Sequence, residues 1–459
     1  MLASPRLRRI LLAYTVNRLG TWLGVVALMV AVYDHTHSAL AVSALLLAWQ
    51  ALPAFVVPAL VARVEASVRG RELSGLYLFE AAATAALAVL LWHFWLPALL
   101  LIAAADGTAA LAASSLLRAE LARAARAHAV AGPERAAPGD AEVEERAQAA
   151  ERAANAAINV AFSLTFVLGP AAGGVLVAAA GAPAALFVDV GSFALCAALL
   201  LDLHPHVEEA GGDSVRARLR NALRHVNEAP SLRALLLTYA VALVFLESAA
   251  PIEVTYAKAT LHVGERGFGL MLTVWGAGAV LGSLLFARAL RRSLGVLLGA
   301  GACAIGLAYV GFALAPSLAG ACAAALLGGI GNGLEVPSLI SLVQRLTPQR
   351  LQGRMMGAVE SLDALCLALG LPLGGALAAA GSPRLAFMTV GVAGTATSLV
   401  FFRVSPRGVS QTPPTDLASA GVPGAAGGAG AASGPGGPPI PAGDPAARTL
   451  PSGRSHAEL

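Results

Sequence analysis

Ionisable side chains stand inside long apolar runs of this chain, and the candidates for function among them are Arg18, Glu80, Asp106, Asp189, Glu247, Glu335, Glu360 and Asp363. An ionisable group at the centre of a bilayer costs about 2.5–3.5 kcal/mol on insertion scales. It persists where it is paired, lines water or carries function. Desolvation favours the neutral form of a carboxyl group, and a nearby cation favours the charged form; the balance lets it take up and release a proton. Proton carriage is therefore the chemistry these residues offer. Asp106 lies near the middle of its run beside Gly107, and either Asp106 or Glu247 is expected to carry the proton, with Asp189 as a further acid. Arg18 is the only cation inside a run and is the expected partner of one acid; Asn17 stands next to it. Glu335, Glu360 and Asp363 fall nearer the run ends, where Arg345 and Arg354 could pair with them as a gate.

Other chemistry is poorly provided for. No phosphate-cradling Gly-rich loop ending in Lys-Ser/Thr is present, which argues against drive by ATP. No nucleophile–base constellation can be placed, so the chain is read as a non-enzyme without cofactor. Cys196, Cys303, Cys322 and Cys366 sit in apolar runs at no ligand spacing and read as packing residues. His204 and His206 form a short exposed run, and no metal site is assigned.

The elements that must hold the acids follow from composition. Of 459 residues, 57% are hydrophobic and 13% charged, where a soluble domain carries about 25% charged. Lipid must be the solvent. A membrane helix needs about 20 apolar residues, and twelve runs qualify: 10–33, 39–62, 72–93, 96–117, 153–180, 182–203, 233–255, 267–288, 293–314, 318–343, 355–380 and 384–403. The first follows Arg6, Arg8 and Arg9 without a small-residue cleavage site and reads as an uncleaved span. With the N-terminus cytoplasmic, nearly all of the 31 Lys+Arg fall on the cytoplasmic side. Only Lys258, Arg266 and Arg384 lie outside. Placement thus explains the net charge of +4, and no nucleic-acid partner is needed.

The chain also repeats itself. Gly173-Gly174, Gly181, Pro183, Phe187 and Gly191 return as Gly374-Gly375, Gly381, Pro383, Phe387 and Gly391. Asp106-Gly107 aligns with Asn332-Gly333, and Gly169-Pro170 with Gly370 and Pro372. Two homologous halves of an apolar chain are a transporter signature. Small residues allow close helix approach and proline permits a bend, so Gly169, Pro170, Gly173, Gly174, Gly370, Pro372, Gly374 and Gly375 read as packing and hinge positions. The path from Gly107 to Gly169 is longer than that from Gly333 to Gly370, which puts an insert at about 119–150. That insert reads as a solvated helical hairpin, or alternatively as a cytoplasmic gate or docking element. The expected divisions are residues 1–203 (N-terminal six-helix bundle), 204–232 (central amphipathic connection), 233–404 (C-terminal six-helix bundle) and a disordered Gly/Pro/Ala/Ser-rich tail over 405–459.

At this point the sequence resembles the major facilitator superfamily, in its drug-exporter branch of macrolide- and siderophore-exporter-like proteins. The residues that carry the likeness are Asn17-Arg18-Leu-Gly20, Leu52-Pro53, Gly169-Pro170-x-x-Gly173-Gly174, Gly328-Gly-Ile-Gly331-Asn332-Gly333 and Gly353-Arg354, over about 8–404. The resemblance implies an all-α integral membrane protein, with twelve transmembrane helices in two pseudo-symmetric six-helix bundles, a central cavity and alternating access. For this branch it also implies proton-driven export of bulky, largely apolar compounds. Two positions depart from the pattern. The second-to-third loop carries Ala62 before Arg63, where the family has an acid, with Arg69 and Arg71 following. Thr21 follows Gly20, where an acid is common. Arg63 and Arg71, with Glu335, Arg354, Glu360 and Asp363, are the expected cytoplasmic gate.

The sequence therefore reads as a secondary active exporter, monomeric, multi-pass in a bacterial inner membrane, with both termini cytoplasmic. Its partners are a small-molecule substrate, protons and the lipid bilayer. One alternative is a proton-coupled uptake symporter for a small solute. Another is a non-transporting membrane sensor or scaffold.

Overall fold

The computed structural model describes residues 4–56, 72–130, 140–201, 224, 226–289, 292–348 and 351–404. Twelve of its helices are long and apolar enough to cross a bilayer. They are α1 (Pro5–Thr36), α2 (Ala39–Val56), α3 (Leu73–His93), α4 (Leu96–Val130), α5 (Val143–Ala180), α6 (Ala182–Leu200), α7 (Pro230–Thr260), α8 (Gly264–Arg288), α9 (Leu294–Leu314), α10 (Leu318–Leu346), α11 (Met355–Ala380) and α12 (Pro383–Arg403). Each coincides with one of the twelve apolar runs. Arg63, Arg71, His204, His206, most of the central connection, the middle of the insert and the tail lie outside the described residues, as does the side chain of Arg354.

Local chemistry sets several boundaries. Pro5 opens α1, where its missing N–H costs nothing. Ser38 caps α2 by accepting from the Ala41 amide at 3.3 Å. Between α5 and α6 the chain turns at Gly181, whose φ of 85° suits a residue without a Cβ, and Pro183 falls in the first turn of α6. Two helices contain a π-helical turn, Leu47–Ala51 in α2 and Tyr256–Thr260 in α7, which no sequence pattern announced.

The described part of the insert is a continuation of two spans. α4 and α5 run on past the length a bilayer requires, and they are tied by Arg126, whose guanidinium lies 3.0 Å from Glu144 and 3.3 Å from Glu151. Glu120 on α4 is buried, 2.6 Å from Arg6 on α1.

The two halves repeat one packing plan. In the first, α1 packs on α5 and α6, and α3 on α6; in the second, α7 packs on α11 and α12, and α9 on α12. The halves meet along α5 against α8 and α2 against α11. The repeated glycines make these seams. A Cβ on Gly169 would strike Trp22 of α1, and one on Gly173 would press on Val26. Their echoes Gly370 and Gly374 lie against Val244 and Ser248 of α7. Gly174 faces across the halves to α8, where an added Cβ would sit 2.6 Å from the Glu265 carbonyl and 3.0 Å from Gly269 Cα. Gly375 faces α2 in the same way, at Ser43, whose hydroxyl donates to the Leu371 carbonyl at 2.8 Å.

The apolar core is not one body along the helix axes. At the end remote from the N-terminus, buried side chains of both halves form one cluster, including Val30, Leu45, Tyr256, Phe312 and Phe387. Toward the N-terminal end the core divides. One cluster holds only first-half residues such as Ile10, Tyr77 and Leu117; the other holds only second-half residues such as Leu235, Leu298 and Phe401. α5 and α8 diverge along the same direction, leaving a groove of about 680 Å³ between Asn159, Ser163 and Val167 on one side and Ala277, Leu281 and Leu284 on the other.

A charged clasp spans the halves at the remote end. Lys258 Nζ lies 2.5 Å from Asp34 Oδ1 of α1 and 2.7 Å from Glu265 Oε1 of α8. A double-mutant cycle of Asp34→Asn and Lys258→Met on thermal unfolding is expected to show a coupling of about 0.5–1 kcal/mol, the range for accessible ion pairs. Strict additivity would mean that the clasp holds nothing.

Candidate functional site

The site is built on the face that the first half turns toward the parted region. A cavity of about 370 Å³ opens there between α1, α2 and α4, with Leu367 of α11 opposite. Asn17, Arg18, Thr21, Trp22, Trp49, Gln50 and Arg118 supply its polar and aromatic wall.

Asp106 is set one layer behind this wall. It is 5% exposed. Its Oδ2 accepts from the Trp49 indole N–H at 3.0 Å, and its Oδ1 from the Thr84 hydroxyl at 3.4 Å. Gly107 makes that geometry possible, because a Cβ there would collide with the Trp49 carbonyl. Trp49 thus touches the buried carboxyl on one side and the cavity on the other. A change of charge at Asp106 would be felt by the indole that lines the cavity.

Two more acids share this interior. Asp189 of α6 is 3% exposed, accepts from Ser192 at 3.0 Å and fills the space left by Gly20 and Gly24 of α1. Glu80 of α3 is fully buried, and neither of its carboxyl oxygens has a hydrogen-bond partner among the described residues. It lies within electrostatic range of both Asp106 and Asp189. The sequence reading named Glu80 only as a membrane-embedded acid; its complete burial gives it more weight.

Arg18 does not pair with an acid, contrary to the sequence expectation. Its guanidinium lies 5.1 Å over the Phe162 ring of α5, it forms no ion pair among the described residues, and its Nε lacks a partner there. The reason is helical phase. The glycines of α1 face Asp189, while Arg18 projects toward α5 and the cavity. Arg118, which sequence reasoning counted only among the basic flanks, joins it in the cavity wall and lies 6.0 Å over the Tyr14 ring.

The second half holds its own acids. Glu335 is buried where α10 meets Gly301 of α9, within electrostatic range of Asp363 and Glu247. It therefore belongs to the interior of the second half, near other carboxyls. Asp363 and Glu247 are half-buried, and Tyr239 stands against Asp363; Glu360 is exposed. Asn332 is half-buried on α10. Among the described residues, no group of His, Cys, Asp and Glu is arranged to hold a metal ion.

Sequence reasoning missed Trp22, Trp49, Gln50 and Phe162. A signal existed for two of them: the chain has only five tryptophans, and Trp22 and Trp49 fall within spans instead of at the interface that the residue favours.

Comparison with known proteins agrees with this architecture. Residues 235–432 match the Major Facilitator Superfamily model. The multidrug efflux pump Tap of Mycolicibacterium fortuitum is 27% identical over 246 residues, covering 52% of this chain and 59% of that protein. YfiS of Bacillus subtilis (strain 168), an MFS-type transporter, is 28% identical over 240 residues, covering 49% and 57%. The chain thus spans about three fifths of the length of the curated relatives it matches. Among solved structures, the nucleoside transporter NupG superposes with a TM-score of 0.65 at 12% identity, covering 87% of this chain and 98% of that one. A bacterial homologue of the lysosomal transporter Spinster superposes with a TM-score of 0.61 at 15% identity, covering 87% and 96%. The chain has a fold of the major facilitator type and is distantly homologous to proteins of the efflux families.

Proposed function

We propose that this chain is a proton-coupled secondary transporter that moves a small organic molecule across a bacterial cytoplasmic membrane by alternating access. One observation carries the reading: the cores of the two halves are joined at one end and parted at the other, around a cavity whose wall rests on a buried carboxyl. The positive-inside rule assigns the parted end to the cytoplasm, because the basic residues gather there. Both termini are then cytoplasmic and the conformation is inward-open.

In this reading Asp106 is the principal proton carrier, with Glu80 and Asp189 as neighbours that raise the cost of a second charge. Glu247, Glu335 and Asp363 form the corresponding acid group of the second half. Asn17 and Arg18 stand on the cavity side, and Asn332 on α10 is the counterpart of Asp106 in the repeat. Gly174 and Gly375, which face the opposite half, are the surfaces on which the halves rock.

Two cargo readings divide the support. The relatives named as multidrug efflux pumps favour export of bulky apolar compounds. The cavity favours a small solute that carries a polar or charged group, since its volume lies at the low end for ligand sites and its wall carries amides and guanidiniums beside the indoles. The second fits the site better and is compatible with uptake as well as export. The test is movement of a panel of small polar solutes and lipophilic dyes into right-side-out and inverted vesicles, with and without a pH gradient. Gradient-driven accumulation in one vesicle orientation is expected, and that orientation reports the direction. Accumulation that ignores the gradient for every compound would remove the coupled reading.

A further inference from the structure

We propose that the cavity between α1, α2 and α4 selects amphipathic aromatic anions, a planar ring system bearing one carboxylate or sulfonate. The proposal rests on the transporter reading for its physiological meaning, but not for its chemistry.

The charge of the wall is the first ground. Two guanidiniums, Arg18 and Arg118, line the cavity, and no carboxylate is among its lining residues. The two cations are within electrostatic range of each other, so each disfavours the other. Asp106, behind the wall, is engaged by Trp49 and Thr84 and forms no ion pair with Arg18. An uncompensated guanidinium within a membrane span is costly. Among the described residues Arg18 meets the face of Phe162, a partial compensation. An anion entering the cavity would find two guanidiniums that form no ion pair among the described residues, and whose fork geometry suits carboxylate oxygens.

The shape of the apolar wall is the second ground. Trp22 and Trp49 both face the cavity. Behind Trp22 the rings continue: its centroid is 5.1 Å from that of Phe166, which stacks on Phe162 at 5.8 Å and 8° between planes. Arg18 stands over the last ring of this series. A ligand with its ring against the indoles and its acid toward Arg18 and Arg118 would use both features at once. A lipophilic cation would meet the same rings but two like charges. A neutral compound would leave both guanidiniums unneutralised.

The test uses the purified full chain in lipid nanodiscs and isothermal titration with three probes of one shape: 2-naphthoate, 2-naphthylmethanol and 2-naphthylmethylammonium. Naphthoate is expected to bind at least tenfold tighter than the alcohol, with the ammonium weakest. Arg18→Gln and Arg118→Gln should each remove at least fivefold of the naphthoate affinity and leave the alcohol within twofold. Arg118 is exposed, so its variant tests the idea even if Arg18→Gln fails to fold. Equal or tighter binding of the alcohol or ammonium would overturn the proposal. So would retention of the preference in both variants, or absence of binding by all three to folded protein. Proteoliposomes with a pH gradient separate this from the transporter reading. Selective naphthoate binding without movement of any compound would leave the site standing and remove transport. Gradient-driven movement of cations alone would do the reverse.

Discussion

Asp106→Asn is expected to lower gradient-driven accumulation at least tenfold while substrate binding stays within about threefold. The substitution is close to isosteric. Its amide oxygen can still accept from the Trp49 indole, so the wall of the cavity keeps its shape. What disappears is the ability to alternate between a neutral and a charged group 3.0 Å from that indole. Counterflow, which exchanges labelled for unlabelled substrate and needs no net proton movement, should survive. Glu247→Gln, in the other half, is the comparison. If both variants keep full coupled transport, neither acid carries the proton. If only Glu247→Gln fails, the coupling site lies in the second half, with Glu335 and Asp363 near it.

The second large effect is expected at the seam between α5 and α8. Gly174→Leu would place a side chain where the Gly269 backbone already stands. Overpacking of this kind costs about 1–3 kcal/mol, and in the proposed cycle that cost falls on the state in which the remote ends are joined. A shift of that size changes a two-state population by about 5- to 150-fold. Spin labels on the remote ends of α1 and α7 should report a longer separation in the variant, and transport should fall with it. Gly191→Leu is the control, because an added Cβ there meets nothing within 4 Å. Equal distances in Gly174→Leu and the unaltered chain would mean that the glycine contact does not govern closure.

How much of this was legible in the sequence depends on the range of the physics involved. Spans are set by hydrophobic thickness, a local property, and all twelve runs appear as helices. The repeat was equally visible, and it foretold that Gly173 and Gly374 would occupy equivalent places, since small residues are spent where backbones meet. The phase of one helix against another was not legible. Nothing in Asn17-Arg18-Leu-Gly20 says that the glycine will face Asp189 and the arginine Phe162, since that is settled by α5 and α6 far along the chain. Glu120 escaped attention because it closes an apolar run amid arginines and reads as a solvated charge, yet packing against α1 buries it beside Arg6. Glu80 was seen but set aside, because one acid in a span looks like another until burial is known.

The seams built from glycine have a kinetic consequence. When two surfaces of long side chains dock, each residue gives up rotamers, and re-forming the contact means finding the right combination again. Where Gly174 meets Gly269, and where Gly276 meets the backbone of Phe166 and Val167, the touching atoms are main chain. No χ angle is frozen when these surfaces meet and none is released when they part. In the proposed cycle these glycine contacts therefore join and part without a rotamer search, and the side-chain ordering that closure needs falls on the Lys258 clasp and on Ser43.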